Sequence, residues 1–142
     1  LPVRFQNNKR VTAYLLSRGI DIAILDYCFQ HGLLYEAADY HNAVFVGYDG
    51  KTPRYATLRG TLSGSGFKRD VTGSSKQFCF SITGKGNGKL NVFECAIDAL
   101  SYLTQVKMQG ADWQQESVLS LGGVYQSRPN ERPRCLLLCK VT

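Results

Sequence analysis

No run of apolar residues in this chain approaches the ~20 that a helix needs to cross a bilayer, and no charged, then apolar, then small-residue leader opens it. Those absences predict a cytoplasmic protein without a membrane partner. A Gly-x-Ser-x-Gly elbow, a phosphate-binding P-loop and a dinucleotide fingerprint are missing too. The one glycine cluster that could imitate them, Gly84 to Gly88 (GKGNG), is followed by no GK[ST] on a helix and reads as a loop. There is no internal repeat, heptad pattern or long low-complexity tract. A structural zinc site needs four converging sulfur or nitrogen ligands, usually as two close pairs. The candidates Cys28, His31, His41, Cys135 and Cys139 come from distant parts of the chain, and Cys28 also completes the apolar face of a helix, so zinc is not expected.

What remains is a folded, basic protein. With 142 residues and 44% hydrophobic side chains, the chain can bury a real core as one ordinary domain or two small abutting ones. Seventeen Lys and Arg against eleven Asp and Glu leave a net charge of +6, which favours a polyanionic partner. The first residue is Leu1, not Met, and a longer parent chain is expected.

Between Lys9 and Gln30, apolar side chains recur with a helical period at Val11, Tyr14 and Leu15 and again from Ile20 to Cys28. Two short helices broken at Arg18-Gly19 are predicted, with Asp21 capping the second and Gly32 closing it. From Leu33 to Phe80 the texture changes to short β-rich runs, LLYE, NAVFVGY, RYATLRGT and KQFCFSI. Asp49-Gly50-Lys51 marks a hairpin, and Ser63 to Gly66 a loop. The last third reads as a strand at Leu90 to Phe93, a helix from Ala96 to about Met108 and a strand from Ser117 to Leu121, a βαβ unit with parallel pairing.

Two groups of residues could carry chemistry. Glu94 stands at the carboxyl end of an apolar strand and just before a helix, where α/β sheets place functional groups. A carboxylate there can shuttle a proton or hold a metal, or merely favour the helix amino terminus. The second group is basic: Arg54, Arg59, Lys68, Arg69 and Lys76 all fall in the strand-and-loop region, where alternation can gather them on one face beside Tyr55 or Phe78. Phosphate contact with aromatic stacking is the usual design for single strands; scattered surface charge is the plainer alternative.

The stretch LNVFECAIDALS (Leu90 to Ser101) resembles the first motif of the toprim family of bacterial primases and topoisomerases, in which a hydrophobic strand ends in Glu and Asp follows. Glu94 and Asp98 match, and Cys95 stands where that family usually has Gly. Three more segments run in the order found in bacterial primase-like proteins: YLLSRGID (Tyr14 to Asp21), the pair RYATLRGT (Arg54 to Thr61) and GSSKQFCFS (Gly73 to Ser81), and SLGGVY (Ser120 to Tyr125). With YHNAVFVGYD, residues 2 to 125 are similar to primase-related, toprim-like proteins of plasmids and integrative mobile elements of Gram-positive bacteria.

That resemblance implies DNA or RNA, preferably single-stranded, as the partner. It also implies metal-dependent nucleotidyl or phosphoryl transfer, with Glu94 as the catalytic acid/base and magnesium held by Glu94 and Asp98. The family's DxD motif is absent: after Asp112 the only acids are Glu116 and Glu131, and magnesium takes a cluster of hard oxygen ligands. The expectation is therefore an α+β protein with short N-terminal helices and a basic antiparallel β region over residues 1–88, followed by an incomplete toprim-like βαβ unit over residues 89–142. It would be a primase-related nucleic-acid protein, truncated and not catalytically competent alone. The alternative is a non-catalytic single-strand-binding module. Ending the parallel layer near Val118 to Leu121 would leave that strand with an open edge, which predicts a homo-oligomer.

Overall fold

In the computed structural model, residues 1–62, 64, 66–86 and 88–122 are described. The chain is α+β, with three α-helices and two sheets among the described residues. Helices α1 (Lys9–Ser17) and α2 (Ile22–Gln30) come first. Both end alike. After α1, Gly19 takes φ +86°, so that Gly19 N–H reaches Leu16 O at 3.0 Å and Ile20 N–H reaches Leu15 O at 3.1 Å. After α2, Gly32 at φ +68° turns the chain the same way, with Leu33 N–H on Cys28 O at 2.9 Å. A left-handed residue at each stop uses the last carbonyls and drives the following apolar residue back onto the helix. Asp21 caps α2, accepting from Ala23 N–H at 2.9 Å, as its position predicts.

The first sheet is an antiparallel meander, β1 (Leu34–Glu36), β2 (Ala43–Asp49), β3 (Thr52–Arg59) and β4 (Lys68–Asp70), in that spatial order. Strand β2 is buried on both faces, because the sheet separates two apolar clusters. Ala43 and Phe45 face the main core, while Val44 and Val46 pack with Tyr35, Ala37 and Ala56 in a smaller cluster.

The second sheet has three strands: β5 (Ser81–Ile82), β6 (Leu90–Phe93) and β7 (Ser117–Ser120). Helix α3 (Ala96–Met108) connects β6 to β7, and these strands are parallel, with Leu90 opposite Ser117 and Phe93 opposite Ser120. The βαβ unit is thus present. Its helix is held by Ala96, Ile97, Ala99, Leu100 and Leu103 against the same core as Val11, Leu15, Ile24 and Phe45. The main core draws on both halves of the chain.

Two expectations change. KQFCFSI does not form one strand: Lys76–Phe78 is a single 3₁₀ turn, and only Ser81–Ile82 is extended and paired. Here the chain crosses from one sheet to the other, and the turn takes the backbone bonds, with Ser75 N–H on Arg54 O and Phe78 N–H on Ser75 O. Nor does β7 present an open edge. It is the centre of its sheet, antiparallel to β5 on one side and parallel to β6 on the other. The ground for expecting an oligomer disappears with it. No described helix is long and apolar enough to cross a membrane.

Candidate functional site

Pairing register decides which basic side chains meet. In β2 and β3, Phe45 lies opposite Thr57 and Ala43 opposite Arg59; in β3 and β4, Thr57 lies opposite Asp70 and Arg59 opposite Lys68. Directly opposed residues share a face, and side chains alternate along a strand. Thr57, Arg59, Lys68 and Asp70 therefore rise from the face that Phe45 occupies, toward the βαβ unit. The carboxyl end of β6 delivers Glu94 and Cys95 to the same place, followed by the first turn of α3. Between the two sheets lies a cavity of about 470 Å³ with these residues in its walls.

Arg59, Lys68 and Arg69 line this cavity together with Glu94 and Asp98, so five of the seven residues singled out from the sequence converge. Arg18, from the end of α1, completes the cationic lining. Arg69 is opposite Leu58 in the ladder and belongs by register to the other face, reaching the cavity from β4.

The acids differ in how far they are neutralised. Asp70 accepts from Tyr55 Oη–H at 3.0 Å and pairs with Lys76 Nζ at 3.3 Å. Asp98 accepts a hydrogen bond from Cys95 Sγ–H at 3.2 Å. Burial raises the Cys95 thiol pKa above its ordinary value; the Asp98 backbone amide opposes the rise, the Asp98 carboxylate adds to it and the Arg59 cation opposes it. Glu94 is exposed.

Three donors stand apart. Arg59 Nε is buried with no hydrogen-bond partner among the described residues, an arrangement that native proteins avoid. At the start of α3, Cys95 makes no side-chain capping bond, and Ala96 and Ile97, whose amides have no intrahelical acceptor, line the cavity. Uncapped amides at a helix start favour an anion.

The other two basic residues lie elsewhere. Arg54 forms a loose exposed pair with Asp49, Nη1 to Oδ2 at 3.8 Å, and its guanidinium sits over the Phe78 ring at 5.2 Å. The pairing of basic group with Phe78 is realised, but away from the cavity. Lys76 serves Asp70 at the cavity margin. Arg18 was not singled out in the sequence. Its signals are its place before the Gly19 turn and within YLLSRGID, neither of which says which wall it will join.

Among the described residues, no group of three or more His, Cys, Asp or Glu side chains could hold a metal ion. Glu94 and Asp98 share the cavity, and Asp98 is engaged by Cys95. The zinc candidates that fall within the described residues are likewise occupied separately. Cys28 is buried, His31 Nδ1 bonds Tyr27 O at 2.8 Å, and His41 bonds Glu36 at 2.6 Å; Cys135 and Cys139 lie outside the described residues.

The family model described as protein of unknown function (DUF3991) matches residues 13–86, just over half of the chain, and the chain belongs to that family. No curated protein and no solved structure matches it. The matched segment contains Arg18, Arg59, Lys68 and Arg69, the whole cationic wall of the cavity, and stops short of Glu94 and α3.

Proposed function

We propose that this DUF3991 protein is a primase-related, toprim-like nucleic-acid protein of a mobile element, which grips single-stranded DNA or RNA by its phosphates in the cavity between β3–β4 and the start of α3. One observation carries the reading. Arg18, Arg59 and Lys68, from three separate elements, line one cavity with the start of α3, where Cys95 makes no side-chain capping bond. Phosphate oxygens satisfy such donors, and an elongated polyanion would extend past the cavity over the exposed Lys68 and Arg69. The overall basic charge steers such a partner inward.

Binding is the activity that the geometry supports best. A second reading, catalysis, rests on the position of Glu94: a carboxylate at the end of β6, inside a cavity that would hold phosphate, is where an acid/base for phosphoryl transfer would act.

The test is fluorescence anisotropy of a labelled single-stranded oligonucleotide across about 50 to 200 mM salt. Each phosphate contact contributes about 0.7 to the slope of log affinity against log salt for a single strand. The Arg59→Ala/Lys68→Ala variant should bind more weakly and with a slope smaller by about 1.4, while Arg54→Ala should retain most of the affinity. Absence of binding at 50 mM salt refutes the reading, as does a loss confined to Arg54→Ala.

A further inference from the structure

We infer that Tyr40, in the turn between β1 and β2, is a stacking platform for an unpaired base. The inference deepens the nucleic-acid reading above and rests on it.

Backbone strain at that turn is the first argument. Two successive residues other than glycine take the left-handed region, Tyr40 at φ +56° and His41 at φ +52°. A bulky residue rarely adopts that conformation, and such strain persists only where the surroundings hold it. Here they hold His41. Its Nδ1 meets the buried Glu36 carboxylate at 2.6 Å, the Phe5 ring packs edge-on with centroids 4.6 Å apart, and its carbonyl accepts from Thr61 Oγ1–H at 3.0 Å. Ala37 N–H closes the turn on Asn42 O at 2.9 Å.

Tyr40 contributes nothing comparable to the fold. At 85% it is the most exposed large apolar residue among those described. Glycine would follow the same backbone path without the strain, and the core would lose no contact. A turn that holds an aromatic ring out in water, in a conformation the residue disfavours, points to a ligand with a flat apolar face.

The neighbours at this end of the sheet say which ligand. The ladder ends on the rung of Ala43, Arg59 and Lys68. Just beyond it, Gly60 N–H bonds Phe67 O at 2.8 Å and Thr61 reaches His41, so Tyr40 shares this end with the exposed Leu62, Phe67 and Lys68. The start of α1 arrives here too, because Glu36 accepts from the Arg10 and Val11 amides, and it brings the exposed Lys9 and Arg10. Lys9, Arg10 and Lys68 outnumber Asp39, the exposed acid of the turn. An aromatic ring among cations fits a polymer that alternates flat bases with phosphates. Lys68 also lines the cavity, so a single strand can leave a phosphate there and lay a nearby base on Tyr40. A paired base has no open face to offer, and the platform therefore selects single strands over duplex.

The experiment measures competition, on the full chain, by a single strand, an abasic strand of the same length and the corresponding duplex. Tyr40→Ala should lose about tenfold in affinity for the single strand, with the salt slope unchanged because no phosphate contact is removed. It should lose nothing for the abasic strand or the duplex, and Tyr40→Trp should bind the single strand at least as tightly as wild type. Tyr40→Gly separates binding from folding: relieved of strain, it should melt no lower than wild type, yet bind the single strand about tenfold more weakly. Equal affinity of wild type, Tyr40→Ala and Tyr40→Gly for the single strand overturns this inference and leaves the nucleic-acid reading standing. A loss that extends equally to the abasic strand makes Tyr40 a structural residue and overturns the inference as well. Self-association that Tyr40→Ala abolishes, read by light scattering, assigns the turn to a second copy of the chain instead. No binding of any oligomer overturns both readings.

Discussion

Replacing Glu36 should damage the fold severely while leaving the cavity lining untouched. Glu36 in β1 is 1% exposed. Its Oε1 accepts from the backbone amides of Arg10 at 2.9 Å and Val11 at 3.0 Å, in the first turn of α1, and its Oε2 meets His41 Nδ1 at 2.6 Å. The N-cap residue, Asn8, makes no side-chain cap to its own helix; its Oδ1 accepts instead from Glu36 N–H at 3.0 Å. Asn8 is turned to the strand's amide, and a carboxylate from the strand does the work of a helix cap. Glu36→Ala leaves the buried Val11 amide without an acceptor, at about 1–3 kcal/mol, removes a cap worth about 1 kcal/mol and strips His41 of its partner. A total loss of about 3–4 kcal/mol follows, a large share of the ~5–15 kcal/mol typical of a domain. With an m-value of roughly 1.5 kcal/mol per molar urea, the unfolding midpoint should fall by about 2 M. Glu36→Gln, which keeps one acceptor oxygen, should lose about half as much. A midpoint shift below about 0.5 M for Glu36→Ala would show that water replaces the carboxylate without penalty, and the capping argument would fail.

Further outcomes follow from other sites. Burial pushes the Cys28 thiol up to about 12 from 9.0. Above pH ~9 the unfolded chain therefore loses a proton that the folded chain keeps, and stability falls with rising pH by about 1.4 kcal/mol per unit until the folded thiol itself ionises. Between pH 9 and 10.5, wild type should lose about 2 kcal/mol more than Cys28→Ala in urea titrations; parallel curves would contradict the burial effect. Gly47→Ala should destabilise by about 3 kcal/mol or prevent folding. An added Cβ there would sit 1.7 Å from Phe78 O and 2.6 Å from the Cys79 carbonyl carbon, and thermal melting reads the result directly. Glu94→Gln should change stability by less than about 0.5 kcal/mol, because the side chain is exposed. It should also tighten oligonucleotide binding by about twofold, by removing a negative charge from the cavity wall. A large loss of stability would make Glu94 a structural residue.

Local chemistry made much of this fold readable, and pairing across distance made the rest unreadable. The breaks at Gly19 and Gly32, the cap at Asp21 and the span of α3 each depend on a few neighbouring residues whose conformational demands are strong. The βαβ unit follows from a strand, helix and strand in succession. Sheet order is different in kind. Nothing near Ser117 to Ser120 announces that a two-residue strand from 35 positions upstream will pair along its free side, so the open edge expected there was closed by Ser81–Ile82.

The cavity shows the same division. Composition and position identify Arg54, Arg59 and Lys68 alike as candidates, but only register separates Arg59 and Lys68 from Arg54. Arg59 opposite Lys68 aims inward because β3 and β4 pair as they do, and a shift of one residue would turn both to the other face. Arg18 is the sharper case, since it lies about 40 residues from Arg59 and joins it only because both helices dock on the shared core. The family match spans all four of these cations and the sheet that sets their register, whereas the carboxylates arrive from the βαβ unit beyond it. On this geometry the basic wall belongs to the family's own fold, and the second sheet supplies the helix start and the acid that turn a basic surface into a site.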